Sequence, residues 1–148
     1  MPSERPTPEQ ALEMVRKRLR DSRFAVLLGF EPESIAEGKA VLAMRVDEHH
    51  RQMQEVVHGG ALAALADTAA AIAAYTVVPQ GVEIVTIELK INYLAPVPGG
   101  RVRAEGTVLR AGRNFIVTEC EVRTEEGQLA AKALLTFGAA GGFSLRRS

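Results

Sequence analysis

The residues of this 148-residue chain best suited to chemistry are the triplet His58-Gly59-Gly60 and an acid nine positions after the histidine, Asp67. The segment joining them is almost wholly apolar, and Asp67 is its only ionisable residue before Tyr75. Burying an unpaired carboxylate costs several kcal/mol or raises its pKa. An acid here therefore needs either a donor that satisfies it or a catalytic role, and the position alone leaves both explanations open.

The spacing of His58 and Asp67 limits where a shared site could lie. Nine residues of α-helix span about 13 Å, and a rotation of about 100° per residue points the two side chains to opposite sides. One copy of the helix therefore cannot bring them together. Two helices related by a two-fold axis would place each His58 near Asp67 of the second chain, since isologous contacts are reciprocal. If both residues act in one site, we expect that site at a dimer interface.

Two helices are predicted. Thr7, Pro8 and Gln10 form a capping-box start for an N-terminal helix that ends near Ser22. The Ala-rich segment 59–75 is apolar on every face, which predicts a buried helix that stops before residues 79–81. Residues 47–57 are polar and are predicted to form the loop that leads into it.

Six strands complete the predicted fold. Residues 24–46 are expected to form two strands with a turn at 37–38, and further strands are expected at 85–93, 101–110, 114–124 and 128–138. Alternation in 85–93 places the odd-numbered residues, Val85 to Tyr93, on one face and Thr86 to Asn92 on the other. Short connections favour antiparallel neighbours. We predict an α+β domain over 1–148, a core at about 24–138, and loose ends at residues 1–6 and 138–148.

Composition argues against several functional classes. Eighteen basic residues balance eighteen acidic ones, so no global field favours nucleic acid or an anionic membrane. Residues 56–78 could span a membrane by length, but Asp67 at the centre would cost roughly 2.5–3.5 kcal/mol. The single cysteine, Cys120, permits no internal disulfide and favours a reducing cytoplasm; its strand position predicts a packed thiol. The polar N-terminus has no secretory signal pattern.

Residues 56–62 and 65–68, together with 86–96, resemble the hotdog-fold acyl-CoA thioesterases, specifically the PaaI-like group. The likeness covers roughly residues 24–138. It implies a hotdog fold, in which a curved antiparallel sheet wraps around one long central Ala-rich helix, here with an extra N-terminal helix. It also implies a cytoplasmic enzyme that hydrolyses a CoA thioester to free acid and CoA without a metal or cofactor. The expected assembly is a homodimer within a dimer-of-dimers tetramer.

The resemblance assigns roles to individual residues. The Gly59 N–H, at the start of the central helix, would polarise the thioester carbonyl. Asp67 of the other subunit would act as nucleophile or as general base on water. His58 would orient the thioester or the loop. Gln52 stands where the family carries Asn or Gln, and the alternative is a solvated loop residue. Thr86 matches a hydroxyl position near the acid in the family, and the alternative is an ordinary strand residue.

A second group of residues is assigned to coenzyme A. Gly60 lies beside the proposed carbonyl donor, and Arg110, Arg113 and Asn114 flank a predicted hairpin turn where they could hold phosphates. A solvated hairpin would explain those three side chains equally well.

Two other functions remain as alternatives. A non-catalytic acyl-CoA-binding protein would keep the same pocket. An enoyl-CoA hydratase of this fold usually has His five residues after Asp, but Ile72 stands there. His49 and His50 are adjacent and match no common metal spacing with His58, so a metal site is not expected.

Overall fold

A computed structural model describes residues 6–140 of the chain. These residues form three α-helices, one short 3₁₀ helix at Glu48–His50 and one six-stranded antiparallel sheet. In chain order the elements are α1 (Pro8–Asp21), α2 (Arg23–Leu28), β1 (Phe30–Ala36), β2 (Lys39–Arg45), α3 (Gly59–Tyr75), β3 (Ile84–Tyr93), β4 (Arg101–Ala111), β5 (Phe115–Arg123) and β6 (Leu129–Ala139). The sheet wraps around α3, which confirms the α+β hotdog architecture.

The N-terminal segment confirms one prediction and corrects another. α1 follows the predicted capping box at Thr7 and ends at Asp21, with Ser22 as its C-cap. The expected strand from Phe24 is wrong, because residues 23–28 form α2. Ser22 caps this helix by accepting the Ala25 N–H, and Gly29 closes it in the left-handed conformation at φ 76°. The two caps favour a short helix despite the strand-like composition between them.

The sheet order is β1-β2-β4-β5-β6-β3. The hairpins β1–β2, β4–β5 and β5–β6 turn between the predicted strands. The expectation that a short connection joins neighbouring strands is wrong for β3, which pairs with β6 at the edge instead of with β4. Residues 94–100 reach about 23 Å when extended, which exceeds the roughly 14 Å across three strand spacings. Buried Val97 anchors this crossing by accepting the Val57 N–H at 2.9 Å.

Small residues bring α3 against the sheet. A Cβ at Gly106 of β4 would lie 2.7 Å from the Ala69 carbonyl oxygen, so the helix and strand backbones are almost in contact. Leu65, Ala66 and Ala70 are fully buried in this core, which also includes Val15 and Leu19 of α1.

α3 is the buried helix that its composition predicts, although one side of it is not fully covered within the single chain. A stripe along the helix remains only half-buried, and its members are Ala63, Ala64, Asp67, Thr68 and Ala71. The acid therefore lies on the least buried face of α3, at the edge where that face meets β3.

The C-terminal end of the sheet differs slightly from the prediction. The loose tail was expected from Gly138, but Gly138 and Ala139 belong to β6 and the Ala140 N–H donates to the Glu83 carbonyl at 2.8 Å. The rest of the predicted tail, and residues 1–5 of the predicted lead, lie outside the described residues. Within 6–140, no helix has the length and apolar character needed to cross a membrane.

Candidate active site

The start of α3 is organised by His58. Its Nδ1 accepts the Gly60 N–H at 2.8 Å, which makes His58 the N-cap of the helix. A neutral imidazole that accepts at Nδ1 carries its proton on Nε2, so the exposed edge of the ring is a donor. The first N–H groups of a helix have no intrahelical acceptor. No hydrogen bond between described residues engages the Gly59 N–H, which remains available at the helix end.

Gly59 and Gly60 are required by space. Neither has a positive φ, so the backbone would accept other residues. A Cβ at Gly59 would lie 2.9 Å from Cζ of Tyr93, and one at Gly60 would lie 2.9 Å from Nδ1 of His58. The Tyr93 hydroxyl also donates to the Gly59 carbonyl at 2.7 Å. We call His58, Gly59, Gly60 and Tyr93 the helix-start half-site.

Asp67 lies two turns further along α3 and contacts the other end of β3. The Thr86 hydroxyl donates to Oδ1 of Asp67 at 2.8 Å. Burial raises the pKa of Asp67 above its usual range, and the hydrogen bond from Thr86 opposes part of that increase. We call Asp67 and Thr86 the acid half-site. Its carboxylate is a stronger base than an exposed aspartate, as general-base or nucleophilic chemistry requires.

A β-bulge decides which side chains of β3 face α3. Thr86 pairs with Phe137 but Glu88 pairs with Thr136, so Ile87 is the extra residue. The prediction that Val85, Ile87 and Tyr93 share one face is therefore wrong. Thr86 before the bulge and Tyr93 after it both hydrogen-bond α3, so the bulge turns both side chains to the helix.

The sequence contains one sign of this bulge. Gly138 lies beside it, paired with Val85, and a Cβ there would lie 2.6 Å from Cδ1 of Ile87. Glycine inside a strand often marks a bulge or a close approach.

The acid half-site opens into a cleft of about 210 Å³ between α3, β3 and the α1–α2 segment. Apolar side chains form most of its wall: Leu19, Phe24, Ala25, Ala71, Ile72, Ile84 and Phe137. Arg18 and Tyr75 also line it, with the Arg18 guanidinium 3.9 Å above the Tyr75 ring. Both side chains hydrogen-bond Glu83, Tyr75 at 2.6 Å and Arg18 at 3.0 Å. Sequence reasoning missed this group, because its three members lie far apart in the chain.

The structure keeps the two half-sites apart within one chain. The cleft is lined by Asp67 and Thr86 but by neither His58 nor Gly59. The continuous helix Gly59–Tyr75 fixes the separation that the nine-residue spacing predicts.

The remaining predicted site residues lie on two loops. The Gln52 N–H donates to the Val56 carbonyl at 2.9 Å, which places Gln52 near the segment leading into His58 and outside the Asp67 cleft. Arg110, Arg113 and Asn114 are exposed at the β4–β5 hairpin. That hairpin lies towards the Thr86 end of the sheet, since Phe115 and Val85 both pair with Gly138.

The other reactive side chains have structural contacts. His49 and His50 hydrogen-bond the carbonyls of Leu27 and Leu28 at 3.1 and 2.8 Å, which ties the loop before α3 to α2. Cys120 is buried, and burial raises its pKa to about 12, which confirms a packed thiol. Among residues 6–140, no group of three His, Cys, Asp or Glu side chains is arranged to hold a metal.

Comparison with known proteins identifies the family. The family described as the thioesterase superfamily matches residues 54–131, which include both half-sites. The chain belongs to the thioesterase superfamily. Its fold is also that of the E. coli PaaI protein from the phenylacetic acid degradation operon, at a TM-score of 0.82, 27% identity and coverage of 93% of this chain and 99% of that one.

Two further relatives support the assignment. A conserved protein of Pseudomonas aeruginosa shares 36% identity at a TM-score of 0.76, covering 83% of this chain and 98% of that one. A 1,4-dihydroxy-2-naphthoyl-CoA hydrolase of Listeria monocytogenes is 30% identical over 69% of this thioesterase and 83% of its own length. The expected PaaI-like hotdog family and thioester hydrolase class are thereby confirmed.

Proposed function

We propose that this thioesterase hydrolyses acyl-CoA to a free acid and CoA at sites shared between the two subunits of a homodimer. The observation that carries this proposal is the placement of both half-sites along β3. Thr86 near one end of the strand holds Asp67, and Tyr93 at the other end holds Gly59. One strand therefore fixes the distance between a base and a carbonyl donor that do not meet within one chain.

The edge position of β3 allows two copies to join these half-sites. β3 pairs with β6 on one side, and no strand in the described part of the chain pairs with its other edge. Antiparallel pairing of two such edges about Leu89 and Lys90, midway between Thr86 and Tyr93, would set each helix-start half-site against the partner's acid half-site. Exposed apolar groups along the strand and the half-buried stripe of α3 supply surface to bury.

The chemistry needs few groups. The Gly59 N–H would donate to the thioester oxygen, with the helix dipole favouring the charge that develops there. The Asp67 carboxylate would take a proton from water while the water oxygen attacks the carbonyl carbon, or would attack that carbon itself. The C–S bond then breaks, and the electron pair leaves with the CoA sulfur, which takes up a proton. If Asp67 itself attacks, the acyl group is left on Asp67 as a mixed anhydride, and water must then hydrolyse that anhydride to release the free acid. Thr86 would hold the acid, and Gln52 and the Nε2–H of His58 would place the substrate.

Other observations support the substrate class and the assembly. The largely apolar cleft beside Asp67 suits an acyl group, and the exposed hairpin could grip CoA phosphates through Arg110, Arg113 and Asn114. Gly60 leaves room beside the donor. Exposed apolar residues on β4, β5 and β6 offer a second contact for a dimer of dimers; they are Leu109, Phe115 and Leu134. We propose that the enzyme needs no metal or cofactor and acts in the cytoplasm, which the single cysteine favours.

The test is the stoichiometry of thiol and acid release. Purified protein with a chelator present should release CoA and free acid in equal amounts from at least one member of a panel of CoA thioesters that carry different alkyl or aryl acyl groups. Binding of acyl-CoA without thiol release would favour a non-catalytic acyl-CoA-binding protein and contradict the proposal. A hydratase would instead consume enoyl-CoA without releasing thiol.

A further inference from the structure

We infer that Tyr93 is a positioning residue for the reaction. By holding the Gly59–Gly60 peptide it fixes the backbone of Gly59, so that the Gly59 N–H, which belongs to the preceding peptide, points at the thioester oxygen. The inference rests on the proposed function, because Gly59 must be the carbonyl donor for its orientation to affect the rate. Neither the spacing of His58 and Asp67 nor the family motif assigns this role to Tyr93.

The peptide between Gly59 and Gly60 is held at both of its polar atoms. Its carbonyl oxygen accepts from the Tyr93 hydroxyl at 2.7 Å, and its N–H donates to Nδ1 of His58 at 2.8 Å. These bonds come from opposite sides of the site, one from β3 and one from the N-cap. With the Gly60 N–H already engaged, the Gly59 N–H is the donor that the helix start presents to a ligand.

The Tyr93 ring explains why position 59 is glycine. The three atoms nearest to a Cβ built there all belong to Tyr93: Cζ at 2.9 Å, Oη at 3.1 Å and Cε1 at 3.2 Å. Gly59 has no positive φ, and alanine is the better helix former, so the backbone itself would accept Ala. Because the contact is the far end of a side chain, an Ala at 59 would push the ring aside and break the hydroxyl bond.

The position of Tyr93 depends on the bulge in β3. Without the extra residue at Ile87, Thr86 and Tyr93 would face opposite sides of the strand, since side chains alternate. The bulge brings both onto α3. Partial burial also raises the pKa of Tyr93, so the phenol keeps its proton and remains a donor.

The first experiment compares Tyr93→Phe with Thr118→Val. The Phe variant keeps the ring and loses only the hydroxyl. We expect kcat to fall about tenfold with KM within twofold, because a misplaced donor weakens transition-state binding more than substrate binding. Thr118 also donates a hydroxyl hydrogen bond to a carbonyl, that of Leu135 at 3.1 Å, but it lies in β5. Thr118→Val should therefore keep the wild-type kcat.

The second experiment needs no activity. Gly59→Ala should lower the thermal midpoint by about 2–4 °C in the wild-type background. The same Gly59→Ala substitution should leave the thermal midpoint unchanged, or raise it, when it is made in the Tyr93→Ala variant, because the ring is then absent. Wild-type kcat in Tyr93→Phe, a change in KM as large as that in kcat, or additive midpoint shifts would each overturn the inference. The proposed function could also fail by itself. If the thermal midpoints of the variants are non-additive but the wild-type protein releases no thiol, the contact between Tyr93 and Gly59 is supported and the proposed function is contradicted.

Discussion

The two half-sites at the ends of β3 depend on different physical interactions. The helix-start half-site depends on space and on two hydrogen bonds that hold one peptide, and it leaves a backbone N–H at the positive end of the helix. The acid half-site depends on desolvation and one hydroxyl, which together leave Asp67 with a raised pKa. Donors at a helix N-terminus would lower the pKa of a nearby carboxylate. Asp67 lies two turns from the N-terminus of its own α3, so burial decides the direction of its pKa within one chain; in the proposed dimer the partner's helix start would oppose that increase.

The largest expected effect separates chemistry from stability at the acid half-site. We expect Asp67→Asn to lower kcat by ~10²–10⁴, as loss of a general base does. Burial raises the pKa of Asp67, so its stabilising contribution is full below the ordinary Asp pKa and is lost as pH rises through the raised value. The Asn variant should therefore unfold at the same or a higher urea concentration at pH 7.

The matched control for that prediction is Asp21→Asn. Asp21 is an exposed acid on α1 whose pKa is lowered by its hydrogen bond to Lys17, and it lies outside the cleft. Its substitution should leave thiol release unchanged. A well-folded Asp67→Asn enzyme with wild-type turnover would remove Asp67 from the mechanism.

The next effect tests whether the two half-sites meet across a dimer. Asp67→Asn damages one half-site. Gly59→Pro damages the other, because proline is tolerated at the first helical position but has no N–H, and its ring would also displace Tyr93. Co-refolding equal amounts should give about a quarter of wild-type activity, because half of the dimers are mixed and each has one intact site. Mixed dimers verified by native mass spectrometry that remain inactive would show that the site lies within one chain.

A smaller effect concerns the hydrogen bond from Thr86. This bond opposes the increase in the Asp67 pKa, so Thr86→Val should raise that pKa further. The acid limb of the kcat/KM profile should move to higher pH, since more base is needed to ionise Asp67. Thr107→Val, a half-buried threonine of β4, is the control. An unshifted limb in Thr86→Val would mean that the titrating group is not Asp67.

The smallest effect concerns the hairpin, which belongs to neither half-site. Arg113→Ala, and to a lesser degree Arg110→Ala, should raise KM for acyl-CoA several-fold and leave kcat nearly unchanged, since remote phosphates are held equally in ground and transition states. Arg45→Ala, an exposed arginine of β2, should change neither constant. Equal KM values of the wild-type enzyme for acyl-CoA and for acyl-pantetheine would argue against contacts between these arginines and the CoA phosphates.

The sequence alone determined the features that depend on local order. Capping residues fixed the start of α1, glycine-containing turns fixed the hairpins, and apolar composition fixed α3. The separation of His58 and Asp67 then followed from helix geometry. The family motif supplied the fold and the reaction class. Even α2, bounded by Ser22 and Gly29, had its signals in the sequence, although the strand-like residues between them were misleading.

Only the tertiary structure decided how the two half-sites are held. The edge position of β3, the bulge at Ile87 and the placement of Tyr93 over Gly59 depend on which strands pair and on contacts between residues 34 positions apart. The contact between Arg18 and Glu83 likewise joins α1 to the start of β3. Local periodicity could not reveal which side chains of β3 face α3, because a register shift of one residue moves every side chain beyond it to the opposite face of the strand. That shift turns Thr86 and Tyr93 to the same helix.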